Sequence, residues 1–70
     1  MAQYVAIFSG EHRKYWTQDQ FGYTDHPKDF GWWSVREARK IVESLGPDKQ
    51  IELHPYKPSR LQLMLRGLLQ

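Results

Sequence analysis

The run Gly31-Trp32-Trp33-Ser34-Val35-Arg36-Glu37-Ala38-Arg39-Lys40-Ile41-Val42-Glu43-Ser44-Leu45-Gly46-Pro47 decides the fold of this chain. Ser34 and Glu37 stand three apart, the S-x-x-E spacing of a capping box that satisfies the first unpaired N–H groups of a helix. Val35, Ala38, Ile41, Val42 and Leu45 fall on one helical stripe. Gly46 and Pro47 then stop the pattern. The spacing predicts an amphipathic helix from about Val35 to Leu45 whose apolar face needs a second layer.

Strand-forming runs on both sides supply that layer. Tyr4 to Phe8 are β-branched and aromatic on both faces, as in a strand covered on two sides. Ser9 to Arg13 is a polar hairpin turn, and Lys14 to Thr17 reads as the second strand. Gln18 to Gly31 mixes turn residues with aromatic pieces, so it is expected to be an ordered loop with a short third strand at 21–24 and its rings packed away. Gln50 to His54 alternates with period two and stops at Pro55, with Ile51 and Leu53 facing the core. Pro58 and Ser59 open a second helix reaching about Leu69, with Ser59 available as its cap.

The expected fold is therefore α+β: a small antiparallel sheet of three or four strands with one helix packed across it and a C-terminal helix, in the order β-β-(β)-α-β-α. Seventy residues hold one domain, here a core unit at 4–54 with the helix at 58–69 added to it. Hydrophobic residues at 40% and aromatics at 14% suffice for a packed core, so the chain is not of the disordered class. A core of this size leaves only about 3–5 kcal/mol of net stability, which makes association with another chain a natural supplement.

The absence of cysteine excludes disulfides and thiolate metal sites and points to a reducing compartment. The first residues lack the basic region and cleavage site of a signal peptide, and no run approaches the ~18 apolar residues of a membrane span. The expectation is a cytoplasmic protein of a bacterial host, without membrane attachment.

No constellation carries catalysis. His12, His26 and His54 have no metal-ligand spacing, Ser34 is committed to a helix cap, and Asp19, Asp25 and Asp29 lie among turn residues. Gly22 and Gly31 open no phosphate-binding loop. The chain reads as a non-enzyme with no cofactor and no metal.

Binding is the better expectation. Arg36, Arg39 and Lys40 lie on the outer side of the first helix, and His12, Arg13 and Lys14 add charge at the first hairpin. If they meet a row of rings such as Tyr15, Tyr23 and Trp32, the surface suits nucleic acid; otherwise the rings are core and the charges solvated. Adjacent Trp32 and Trp33 do not both fit into one small core, and Trp33 stands where an apolar residue staples the first helical turn. Trp32 is therefore the ring expected at a partner contact, with Tyr23 beside the basic groups.

In the last helix Leu61, Met64, Leu65 and Leu68 form one i, i+3, i+4, i+7 face, and Leu63 and Leu69 lie off it. Either this face packs on the domain's own sheet, or it contacts a partner or a second copy as a homodimer.

The run Lys14-Tyr15-Trp16-Thr17-Gln18-Asp19-Gln20-Phe21-Gly22-Tyr23-Thr24-Asp25, followed by Phe30-Gly31-Trp32-Trp33-Ser34-Val35-Arg36-Glu37-Ala38, resembles a pattern of small bacteriophage and prophage accessory proteins. The likeness spans residues 4 to about 54, with Phe30 where the pattern has Ala. It implies a phage-type module that binds a host protein or ribonucleoprotein complex. Such a module blocks its target by occupying a surface, as anti-CRISPR proteins do. A nucleic-acid-binding accessory protein is the second reading.

Overall fold

The computed structural model describes residues 3–46 and 49–68. Five strands, β1 (Tyr4–Ser9), β2 (Lys14–Trp16), β3 (Tyr23–Thr24), β4 (Trp33–Ser34) and β5 (Ile51–Tyr56), form one antiparallel sheet. A 3-10 turn at Pro27–Asp29 precedes β4, α1 (Val35–Glu43) joins β4 to β5, and α2 (Arg60–Leu65) follows β5. The α+β class and the expected element order hold; the two-residue β4 is added to them.

β1 is the central strand. Along one edge all six of its residues pair with β5, from Tyr4 opposite Tyr56 to Ser9 opposite Ile51. Its other edge is shared: Tyr4 and Val5 pair with β4, and Phe8 and Ser9 pair with β2. The β5 strand runs two residues beyond the expected stop, through Pro55. Proline lacks a ladder donor and is tolerated where a strand has a neighbour on one side only, as β5 does among the described residues.

Alternation divides β1 between two faces. Val5 and Ile7 turn to the face covered by α1, where they pack with Trp16, Trp33 and Ala38 and with the flanking Val35, Ile41, Leu45, Ile51 and Leu53. Ala38 and Ile7 are fully buried there, so the predicted apolar stripe of α1 is the one that faces the sheet. Tyr4, Ala6 and Phe8 turn to the opposite face, which carries a layer of rings. Phe8 stacks on His54, Tyr15 on Phe30 and Trp32 on Tyr56, while Tyr4 meets Trp32 edge-on.

The caps follow the sequence with one change. Ser34 Oγ accepts the Glu37 N–H, but the Glu37 carboxylate accepts from the Ser34 hydroxyl and not from the Ser34 N–H, and Ser34 itself stands opposite Tyr4 in the sheet. The complete reciprocal box is at α2, between Ser59 and Gln62. Helix α2 ends at Leu65, short of the expected Leu69, which lies outside the described residues. Gly67 at φ 69° allows its own N–H to reach the Met64 carbonyl and that of Leu68 to reach the Leu63 carbonyl, closing the helix end.

Candidate functional site

Helix α2 is held to the ring-bearing face by polar contacts on one side only. The Arg66 guanidinium lies 3.5 Å from the centre of the Trp32 ring, donates from Nη1 to the Trp32 carbonyl at 2.7 Å, and donates from Nη2 to Gln18 Oε1. Gln18 completes the clamp: its amide accepts the Trp32 N–H at 2.8 Å and donates to the Trp32 carbonyl at 3.1 Å. Gln62, already engaged in the cap, also bonds the Tyr56 hydroxyl. Partial burial lowers the pKa of Arg66, and Glu37, Tyr56 and Tyr4 act in the opposite direction.

With Gln62 and Arg66 turned inward, the helical period turns Leu61, Met64 and Leu65 outward, and Leu68, beyond the Gly67 stop, is exposed with them. They are 61%, 57%, 78% and 49% exposed. The i, i+3, i+4, i+7 face is therefore not packed on the domain's own sheet. Leu63 is half-buried and lines a cleft of about 480 Å³ with Tyr4, Pro55, Tyr56 and Pro58. Leu61, Met64 and Leu65 are three large exposed apolar side chains on one short helix, and clustered exposed apolar groups are characteristic of interaction sites.

Trp32 is not the exposed ring the sequence suggested. It is 3% exposed, and Trp33 is 6% exposed. The expectation assumed a single core, whereas the chain entering β4 sends its adjacent rings to opposite faces: Trp33 to the core under α1, Trp32 between Tyr4, Tyr56 and Arg66. Arg36, Arg39 and Lys40 are exposed on the outer side of α1, and Arg13 and Lys14 are exposed at the first hairpin. Tyr23 is 43% exposed and packs against His12, 4.1 Å between ring centres.

The three rings proposed for a nucleic-acid surface do not form a row. Tyr23 pairs with Trp16 on the α1 side of the sheet, Tyr15 stands on the other side against Phe30, and Trp32 is covered. The expectation that loop rings are packed also fails at Phe21, 91% exposed at a turn fixed by Asp19, whose carboxylate accepts the Phe21 N–H and the Thr17 hydroxyl. Those two bonds hold the Asp19 pKa below its ordinary value.

One polar array crosses the ring-bearing face. The Tyr15 hydroxyl bonds His54 Nδ1 at 2.7 Å, and His54 Nε2 bonds a Glu52 carboxylate oxygen at 2.8 Å. A carboxylate holding the Nε2 proton leaves Nδ1 as an acceptor for the phenol. Separation by 39 positions hides this contact from the sequence, and only the register of β2, β1 and β5 brings it together. Among the described residues no group of three or more His, Asp or Glu stands close enough to hold a metal ion, and no helix is long and apolar enough to cross a membrane. Comparison of the chain with protein-family models, curated proteins and solved structures gives no match.

Proposed function

We propose that this chain is a protein-binding module that covers a partner's surface without catalysis, and that α2 is the element it presents. The observation that carries the reading is the outward stripe of Leu61, Met64 and Leu65 on a helix anchored from behind by Arg66 and Gln62, with exposed Leu68 just past its end. An apolar helix face of this spacing suits a hydrophobic groove. The charged side chains between Pro55 and Leu68 are Lys57, Arg60 and Arg66, all cationic. Arg66 is turned inward onto Trp32, and a groove with carboxylates on its rim complements Lys57 and Arg60, whereas a second copy would bring these same cations together. The resemblance to small phage proteins makes a bacterial defence complex the first partner class to test, with inhibition by occlusion as its consequence.

The test begins with recovery of the tagged protein and its companions from a bacterial host, at two salt concentrations, with and without nuclease. The companion is then purified and titrated with the wild type and with Leu65→Asp. A protein that survives salt and nuclease, with affinity reduced at least ~100-fold by the substitution, is the expected result, since a charge buried in such a contact costs about 3 kcal/mol or more. Undiminished binding by Leu65→Asp would remove α2 as the contact. Recovery of nucleic acid alone, lost at high salt, would favour the nucleic-acid reading. A dimer abolished by Leu65→Asp would make the occupant a second copy.

A further inference from the structure

The Tyr15–His54–Glu52 array on the ring-bearing face shares no residue with the α2 contact. Its order is phenol, imidazole, carboxylate: the Tyr15 hydroxyl donates to His54 Nδ1 at 2.7 Å, and His54 Nε2 donates to Glu52 Oε1 at 2.8 Å. A hydroxyl within hydrogen-bond reach of a base that a third group orients is the arrangement of an activated nucleophile. Among the described residues no other tyrosine hydroxyl bonds a histidine; that of Tyr56 is shared with Gln62, and Tyr23 meets His12 through its ring. Packing fixes the array, since Phe8 stacks on His54 and meets Tyr15 edge-on, and Phe30 stacks on Tyr15 with 3.8 Å between ring centres. The array lies at the surface: Tyr15 is half-buried, and the His54 and Glu52 side chains are 36% and 65% exposed.

The geometry points to Tyr15 as an acyl-accepting nucleophile, whose phenol oxygen takes the acyl group of an activated ester with His54 as general base. The bond from Tyr15 Oη to the acyl carbon forms, the ester C–O bond breaks, and the leaving oxyanion departs with the electron pair. The phenol proton passes to His54 Nδ1. Glu52 then faces the imidazolium across Nε2 and places a negative charge where the positive one develops. The product is an O-acyl tyrosine, one per chain. A neutral acyl donor suits the site better than a phosphoryl donor, because the fixed charge of the array is the Glu52 carboxylate, which repels a phosphate, while Phe8 and Phe30 bring apolar ring surface to Tyr15. The proposal stands or falls independently of the protein-binding reading.

Treatment of the full-length protein with p-nitrophenyl acetate tests this, with nitrophenolate release followed by absorbance and the acetyl group located by peptide mass spectrometry. Tyr15 should be acetylated at least ~10-fold faster than Tyr23, although Tyr23 is 43% exposed, and the preference should vanish in the chain unfolded by urea. His54→Gln should slow acetylation of Tyr15 by on the order of 100-fold, the scale of a general base, and leave the Tyr23 rate unchanged as the internal control for folding. Tyr15→Phe, which keeps the ring, should abolish the fast release of nitrophenolate. Acetylation of Tyr15 no faster than that of Tyr23 would overturn the inference, as would an undiminished rate in His54→Gln. Fast release that persists in Tyr15→Phe would also overturn it, because His54 itself would then be the nucleophile.

Discussion

Trp32 and Trp33 bury adjacent rings on opposite sides of an extended segment, and each is supported differently. Trp33 packs among aliphatic side chains and Ala38, the position its staple role predicts. Trp32 is covered by a guanidinium and two tyrosines. Trp32→Ala should therefore destabilise the fold by about 3–5 kcal/mol in urea unfolding, the cost of truncating a buried large ring, and a near-neutral result would return Trp32 to the surface. Gly31 makes this placement feasible. A Cβ there would come within 2.5 Å of the Trp33 ring and 2.8 Å of the Thr17 backbone, so Gly31→Ala should cost about 1–3 kcal/mol in the same assay. At Asp19 the folded pKa lies below the ordinary 3.8. The turn it holds is thus stabilised above that value and loses the contribution as pH falls through the lowered one. The Phe21 amide resonance should titrate with a midpoint below 3.8, and Asp19→Asn should abolish that titration.

Among the elements, those with local signals were legible. The Ser34 cap and apolar stripe marked α1, alternation marked Ile51 and Leu53, and the aromatic run marked β1 as covered on both faces. Two-residue β4 has no period to read; it exists because Trp33 and Ser34 lie beside Val5 and Tyr4. The α2 stripe was visible in the sequence, but its direction was not, since that depends on Gln62 and Arg66 finding Tyr56 and Trp32 from other parts of the chain. Arg66→Ala should loosen α2 at a cost of about 1–2 kcal/mol, the scale of a cation–π contact with charged hydrogen bonds. It should also change Trp32 fluorescence while leaving the α1 core cooperative. An unchanged emission spectrum would place Arg66 away from the ring.

On the scale of the whole molecule, the sheet is covered unequally. One face closes on α1 with a mixed core of aliphatic side chains, Trp16 and Trp33, and the other carries the remaining ring layer, a Tyr15–His54–Glu52 array and a helix attached by its polar side. A reading that assumes one core has to expel a tryptophan to the surface, and it thereby places at a partner contact a residue that the structure buries against Arg66. Apart from Phe21 and Tyr23, the exposed large apolar side chains among the described residues are on α2 and just after it. This predicts that the free protein shows its α2 side chains to solvent and hides Trp32. The most direct measurement is methyl and indole NMR of the free protein with a soluble nitroxide. Strong broadening of Leu61, Met64 and Leu65, with Leu63 and the Trp32 ring protected, is the predicted result. Protection of the Leu61, Met64 and Leu65 methyls in a monomer, together with broadening of Trp32, would contradict the account.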